Sequence, residues 1–273
     1  MIKKIYNRIK ILLFLNANIL SVEERKLVNK PFHFKGDNGE AILLVHGWTS
    51  TAYEVRRLAR FLNDSGYTTM GPMLKGHGSY FKDLKNIRME DWLMDVKLAF
   101  EELKKEHNKV YIIGNSIGAN LAVIFSADRV DVAGLVLLAM PYQIRLEKLS
   151  GFFAKFVNIL LPYARKMYLP WMSFSTAMIR ATSYQNYPIK SALETIIITK
   201  KSRKILGKIV QPCLIMQSSN DHVVASNSLE KIYTQINSPI KKKQYVPRSY
   251  HTFISDLENA YVFKDILNFI EEN

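Results

Sequence analysis

The chain has 273 residues, 48% hydrophobic and 23% charged, which is enough apolar content to bury a large core as one α/β domain. Its single cysteine, Cys213, excludes an intrachain disulfide framework and reads as a small buried residue in a strand. The formal charge of +14 raises nucleic acid or an anionic membrane as partners. However, the basic residues are spread along the chain, with no zinc-ligand spacing and no basic helix interleaved with stacking aromatics, so a basic solvated surface and no nucleic-acid partner are expected.

The first element in chain order is a basic, amphipathic N-terminal extension over residues 1–30. Ile2, Ile5, Ile9, Leu12 and Leu13 recur at helical spacing with Lys3, Lys4, Arg8 and Lys10 between them. A transmembrane helix needs ~20 apolar residues, and Asn16 and Asn18 interrupt this one early. A signal sequence is the alternative, but the apolar core is thin and a small-residue cleavage site is missing. Peripheral membrane contact through residues 1–20, or docking on the protein body, is the expectation, with a cytoplasmic location.

From residue 31 to 273 strand and helix alternate. Strands are predicted at Ala41–Val45, Thr68–Met70, Val110–Ile113, Leu135–Leu138, Leu214–Met216 and Gln244–Val246. The best of these are apolar throughout, as in a parallel sheet buried on both faces. Amphipathic helices are predicted at Tyr53–Asn63, Trp92–Lys105, Leu121–Ala127, Leu229–Ile236 and Ala260–Ile270. The fold class that follows is α/β, a mostly parallel sheet with helices on both faces. Residues 142–208 break the rhythm. They are rich in aromatics and methionines, hold no strong strand, and read as a small helical cap insertion.

The chemistry centres on Gly114-Asn115-Ser116-Ile117-Gly118, placed between a predicted strand and a predicted helix. This is the pattern of a nucleophile elbow, a sharp turn that holds the serine hydroxyl clear of the sheet, with Gly114 and Gly118 allowing helix and strand to approach. A serine hydroxyl needs a base, and the base needs a carboxylate to fix its tautomer. In elbow enzymes these follow in the order serine, acid, histidine. His33, His46, His77 and His107 precede Ser116, and His222 adjoins the best acid, which leaves His251 as the base. Asp221, just past the strand ending at Met216, is the acid. Backbone N–H groups of Ile117 and of Trp48, in the loop His46-Gly47-Trp48-Thr49-Ser50, are the expected oxyanion donors, with Gly47 allowing close approach.

Together with Lys75-Gly76-His77-Gly78 and Asp91-Trp92-Leu93-Met94-Asp95-Val96, these motifs resemble the bacterial carboxylesterases related to monoacylglycerol lipases, over roughly Pro31 to the C-terminus. The resemblance implies the α/β-hydrolase fold. It also implies hydrolysis of short- to medium-chain acyl esters, monoacylglycerols among them, through an acyl-serine, with neither metal nor cofactor. By that similarity Ser116 is the nucleophile, His251 the base, Asp221 its orienter, and Trp48 and Ile117 the backbone donors, while His77 belongs to a structural motif. The cap segment and the first thirty residues depart from the family pattern. An acyl thioesterase would use the same triad, and a non-catalytic binding protein on this fold would be expected to have lost part of it.

Overall fold

A computed structural model of the chain describes residues 26–145, 161–166, 182–256 and 259–273. The amphipathic segment expected at residues 1–20, and residues 146–160 and 167–181 of the expected cap, lie outside the described residues. In chain order the strands are β1 (Phe32–Phe34), β2 (Ala41–Val45), β3 (Thr68–Gly71), β4 (Val110–Asn115), β5 (Gly134–Leu138), β6 (Tyr163–Arg165), β7 (Asn186–Pro188), β8 (Cys213–Ser218) and β9 (Lys241–Val246). The α-helices are α1 (Tyr53–Asp64), α2 (Met89–Glu106), α3 (Ile117–Ser126), α4 (Ile189–Lys204), α5 (Ser228–Gln235) and α6 (Tyr261–Glu271).

Seven strands form one sheet in the order β1-β3-β2-β4-β5-β8-β9, parallel throughout except for β1, which runs antiparallel to β3. β2, β4, β5 and β8 are buried along their whole length, which explains why they read as unbroken apolar runs. One face of the sheet packs on α1 and α6 through Val55, Leu58, Leu62, Val262, Ile266 and Phe269. The other packs on α2, α3 and α5 through Trp92, Phe100, Leu121, Val123, Leu229 and Ile232. The result is the α/β-hydrolase fold expected from the sequence. Cys213 is fully buried in β8, where desolvation pushes its thiol pKa well above the ordinary range.

The sequence did not foretell β1, a three-residue edge strand, or the short antiparallel pair of β6 with β7 inside residues 142–208, which is followed by the sixteen-residue helix α4. The expected strand at Gln244–Val246 is present as β9 but begins three residues earlier, at Lys241. The lysines that open β9 lie on a sheet edge, where charge discourages pairing with another strand.

The topology also places the functional loops. After β2 the chain moves outward to β3, then returns to β4 on the other side of β2, so the strand order reverses between β2 and β4. In open α/β sheets the crevice at such a reversal, beyond the carboxyl ends of the strands, is where ligands bind.

Candidate active site

Ser116 occupies the single-residue junction between β4 and α3, with φ 54° and ψ −120°. Positive φ is costly for a residue with a Cβ and persists only where the surroundings enforce it. They do so here by close contact. A Cβ on Gly118 would lie 2.2 Å from the Val45 carbonyl oxygen of β2, and one on Gly114 would lie 2.4 Å from Ala119 Cα. The Ser116 N–H donates to the Leu138 carbonyl at 2.8 Å, tying the turn to β5. From Tyr111 to Asn120, Ser116 is the one residue that is not buried, so the strained turn presents its hydroxyl.

His251 and Asp221 come to this hydroxyl from the loops after β9 and β8. His251 Nε2 lies 2.9 Å from Ser116 Oγ, and Nδ1 lies 2.8 Å from Asp221 Oδ2. The other Asp221 oxygen accepts the N–H groups of Val223 and Val224, each at 2.8 Å. With Asp221 accepting, Nδ1 carries the proton and Nε2 is left as an acceptor toward the serine. Ser218 Oγ donates to the Ser249 carbonyl, joining the two loops at their bases.

Burial opposes both charges of this pair and mutual attraction outweighs it. For Asp221, desolvation works to raise the carboxyl pKa, but the charge of and hydrogen bond from His251 and the two backbone N–H groups hold it below the ordinary value. For His251, desolvation works downward, yet Asp221, with a smaller contribution from Glu54, lifts the imidazole above its ordinary value against the opposing charge of Lys166. His222, although next to Asp221, points elsewhere. Burial, followed by the His251 charge, lowers its pKa, and its ring packs toward Tyr250.

The loop after β2 faces the elbow and is held by polar side chains. The Gly47 N–H donates to Glu54 Oε2 at 2.7 Å. Leu74 N–H donates to His46 Nε2 at 3.2 Å, so His46 Nδ1 bears the proton and donates to the Gly47 carbonyl at 2.8 Å. Thr49 N–H donates to His77 Nε2 at 3.0 Å, and His77 Nδ1 donates to the Leu74 carbonyl at 3.2 Å. Both rings are buried, and desolvation above all lowers their pKa values, His77 the more strongly, so they remain neutral acceptors. Among the described residues no acceptor takes the Trp48 N–H. The Ile117 N–H, in the first turn of α3, lacks an intrahelical acceptor by the geometry of a helix start.

The segment leading into α4 clamps this loop from outside. Tyr184 N–H donates to the Thr49 carbonyl at 2.8 Å, and its hydroxyl accepts from Ser79 N–H and donates to the Gly76 carbonyl. The Trp48 indole donates to Ser191 Oγ at 2.9 Å and meets the Tyr187 ring edge-on. All eight residues expected at the site thus lie around one point: Ser116, Asp221 and His251 in line, Gly114 and Gly118 framing the turn, and Gly47, Trp48 and Ile117 beside it. Glu54, Tyr184 and Ser191 were not foreseen. Among the described residues no group of three or more His, Cys, Asp or Glu side chains is placed to hold a metal ion, and no helix is long and apolar enough to cross a membrane.

A serine, histidine and aspartate hydrogen-bonded in line at the carboxyl end of a doubly covered parallel sheet define a hydrolase of the α/β-hydrolase class. Residues 36–258 match the family described as serine aminopeptidase S33 (Hydrolase_4), and the chain belongs to that family. It is 29% identical over 248 residues to a carboxylesterase of Bacillus subtilis (strain 168), covering 89% of this chain and 96% of the relative. It is 25% identical over 249 residues to a thermostable monoacylglycerol lipase of Bacillus sp. (strain H-257), covering 89% and 95%. Among solved structures, a metagenome-derived lipolytic enzyme of the LipS and LipT pair superposes with a TM-score of 0.81 at 24% identity, covering 90% of this chain and 98% of the other. The monoacylglycerol lipase of Paleococcus ferrophilus gives 0.75 at 15% identity, covering 89% and 99%.

Proposed function

We propose that this enzyme is a serine carboxylesterase that hydrolyses short- to medium-chain acyl esters, monoacylglycerols among them, through an acyl-serine. The observation that carries the reading is the unbroken hydrogen-bonded line from Ser116 Oγ through both nitrogens of His251 to Asp221. The names of the two Bacillus relatives supply the substrate class.

In the first half-reaction His251 Nε2 takes the Ser116 hydroxyl proton as Oγ attacks the ester carbonyl carbon. The resulting oxyanion is met by the Trp48 and Ile117 N–H groups. Collapse expels the alcohol, which leaves with the proton from His251 Nε2–H. Water then repeats the cycle on the acyl-serine, and His251 returns the proton to Ser116. Asp221 stays ionised and stabilises the imidazolium in both halves.

The test is a p-nitrophenyl ester series of increasing acyl length, run with matched thioesters and an anilide, on the wild type and on Ser116→Ala. Ester hydrolysis should dominate and fall by about 10³-fold or more in the variant while thermal stability is retained. Faster turnover of the thioesters would make the enzyme an acyl thioesterase, and faster turnover of the anilide a peptidase. Undiminished ester hydrolysis in Ser116→Ala would overturn the assignment.

A further inference from the structure

We propose that Glu54 is a second carboxylate of the active site, a positioning residue that holds the oxyanion loop through Gly47 and sets its charge across that glycine from the Ser116–His251 pair. The inference rests on the esterase reading above and adds a residue that neither the elbow motif nor the order serine, acid, histidine identifies.

Glu54 lies in the first turn of α1 and is only 7% exposed. Buried carboxylates are rare unless paired or hydrogen-bonded. Among the described residues the one donor to this carboxylate is the Gly47 N–H at 2.7 Å, and no cation neutralises it. A Cβ built on Gly47 would lie 3.2 Å from Glu54 Oε2 and 3.4 Å from Ser116 Cβ, so the carboxylate and the nucleophile flank the same glycine. Ser255, which follows His251 in the same loop, donates its hydroxyl to the Glu54 carbonyl, fastening the His251 loop to the start of α1.

Two consequences follow from this placement. Glu54 takes the Gly47 N–H, which leaves the Trp48 N–H as the loop's free donor and fixes where it points. A donor displaced by as little as about 1 Å loses much of its effect on the transition state. The second consequence is electrostatic. The field of Glu54 reaches both His46 and His251 and favours their protonated forms. His46 stays neutral because its burial dominates, so the carboxylate acts usefully only on His251, which becomes an imidazolium in each half-reaction. The other charged groups that bear on His251 are Asp221, which assists, and Lys166, which opposes; the neighbouring His222 has its own pKa lowered by burial and by the His251 charge.

Glu54→Gln separates the two roles, since the amide oxygen can still accept the Gly47 N–H while the charge is gone. The expected result is a folded enzyme whose KM is unchanged, whose kcat falls several-fold, and whose acidic limb in kcat/KM moves to lower pH. Glu54→Ala, which removes the acceptor as well, should lower kcat by about a further tenfold. An NMR titration of the His251 ring reads the charge without turnover and should move to lower pH in Glu54→Gln. A purely structural Glu54 would leave both titrations in place. Ring and acidic limb at wild-type positions in Glu54→Gln, with wild-type kcat, would overturn the proposal. Loss of the esterase reading would show separately, as ester hydrolysis that survives Ser116→Ala.

Discussion

Two neighbouring loops build this site, and they are held by opposite means. The elbow after β4 is held by steric exclusion: Gly114 and Gly118 let backbone press against backbone, and Ser116 is forced to a positive φ. The loop after β2 is held by hydrogen bonds from buried side chains, with Glu54, His46 and His77 each satisfying part of its backbone. A packed contact between backbones has no tolerance, because neither partner can turn away. A hydrogen-bonded loop can shift by fractions of an ångström, and the enzyme limits that shift with several partners at once. The nucleophile therefore has one position by construction, whereas the oxyanion donor has one only while its supporting side chains are intact.

Alanine substitution of one glycine from each loop sharpens the contrast most. In Gly118→Ala the new Cβ would meet the Val45 carbonyl oxygen at 2.2 Å, and the strand and helix must separate. We expect a loss of about 3 kcal/mol or more, with activity lost alongside, read from denaturant midpoints and ester turnover. In Gly47→Ala the closest atom is Glu54 Oε2 at 3.2 Å, the end of a side chain that can give by a few tenths of an ångström, and the next, Ser116 Cβ at 3.4 Å, is at an ordinary contact distance. Stability should fall by no more than about 1 kcal/mol, while kcat drops about tenfold. Equal losses of stability in the two variants would mean that the loops are not held differently.

A smaller effect is expected where a polar support is removed. His77→Ala strands the Thr49 N–H in a buried position and opens a void between Trp92 and Tyr184. The cost should be about 2 to 3 kcal/mol, from the unsatisfied donor and the lost packing. Because Thr49 follows Trp48, kcat should fall about tenfold or more with KM little changed. A rise in KM at constant kcat would place His77 in ground-state binding and remove it from the loop's support.

The same difference explains what the sequence revealed. Steric necessity leaves a local mark: small residues at fixed spacing around Ser116, which can be read without knowing the fold. Asp221 and His251 were legible because chain order and strand ends restrict them, and the buried strands because they are apolar on both faces. Glu54 was not legible. In sequence it is one more charged residue at the start of an amphipathic helix, and only the closing of α1 against the β2 loop reveals that it faces inward. Tyr184 and Ser191 were hidden in an aromatic segment with no motif of its own. β1 is too short to show a period, and the lysines that open β9 read as a surface charge cluster because an edge strand can turn such side chains to solvent.

The smallest expected effect lies in pH dependence, where the two loops should part company. His46 and His77 are neutral when folded, their pKa values lowered chiefly by burial, whereas in the unfolded chain they would protonate near the ordinary imidazole value of about 6.5. Below that value the unfolded state binds more protons, so their contribution is complete above about 6.5 and is lost as pH falls toward their folded values. His251 has the opposite sign. Its raised pKa gives a contribution that is present below about 6.5 and disappears as pH rises through its folded value. Asp221, held low by His251 and backbone N–H groups against its burial, adds a loss only below the ordinary carboxylate range. Three histidines with lowered pKa values, His46, His77 and His222, predict that stability declines between about pH 6.5 and pH 5, by no more than about 1.4 kcal/mol per unit for each, while His251 changes stability only above about 6.5. His77→Gln, which keeps an acceptor but cannot titrate there, should reduce that slope. Activity should fail earlier on the way down, because His251 must be neutral to accept the Ser116 proton and protonates above its ordinary value. Denaturant midpoints and kcat/KM measured across the same pH series should therefore give two separate transitions. A single shared transition would mean that the base and the supports of the oxyanion loop titrate as one unit, and the distinction between the two loops would not survive it.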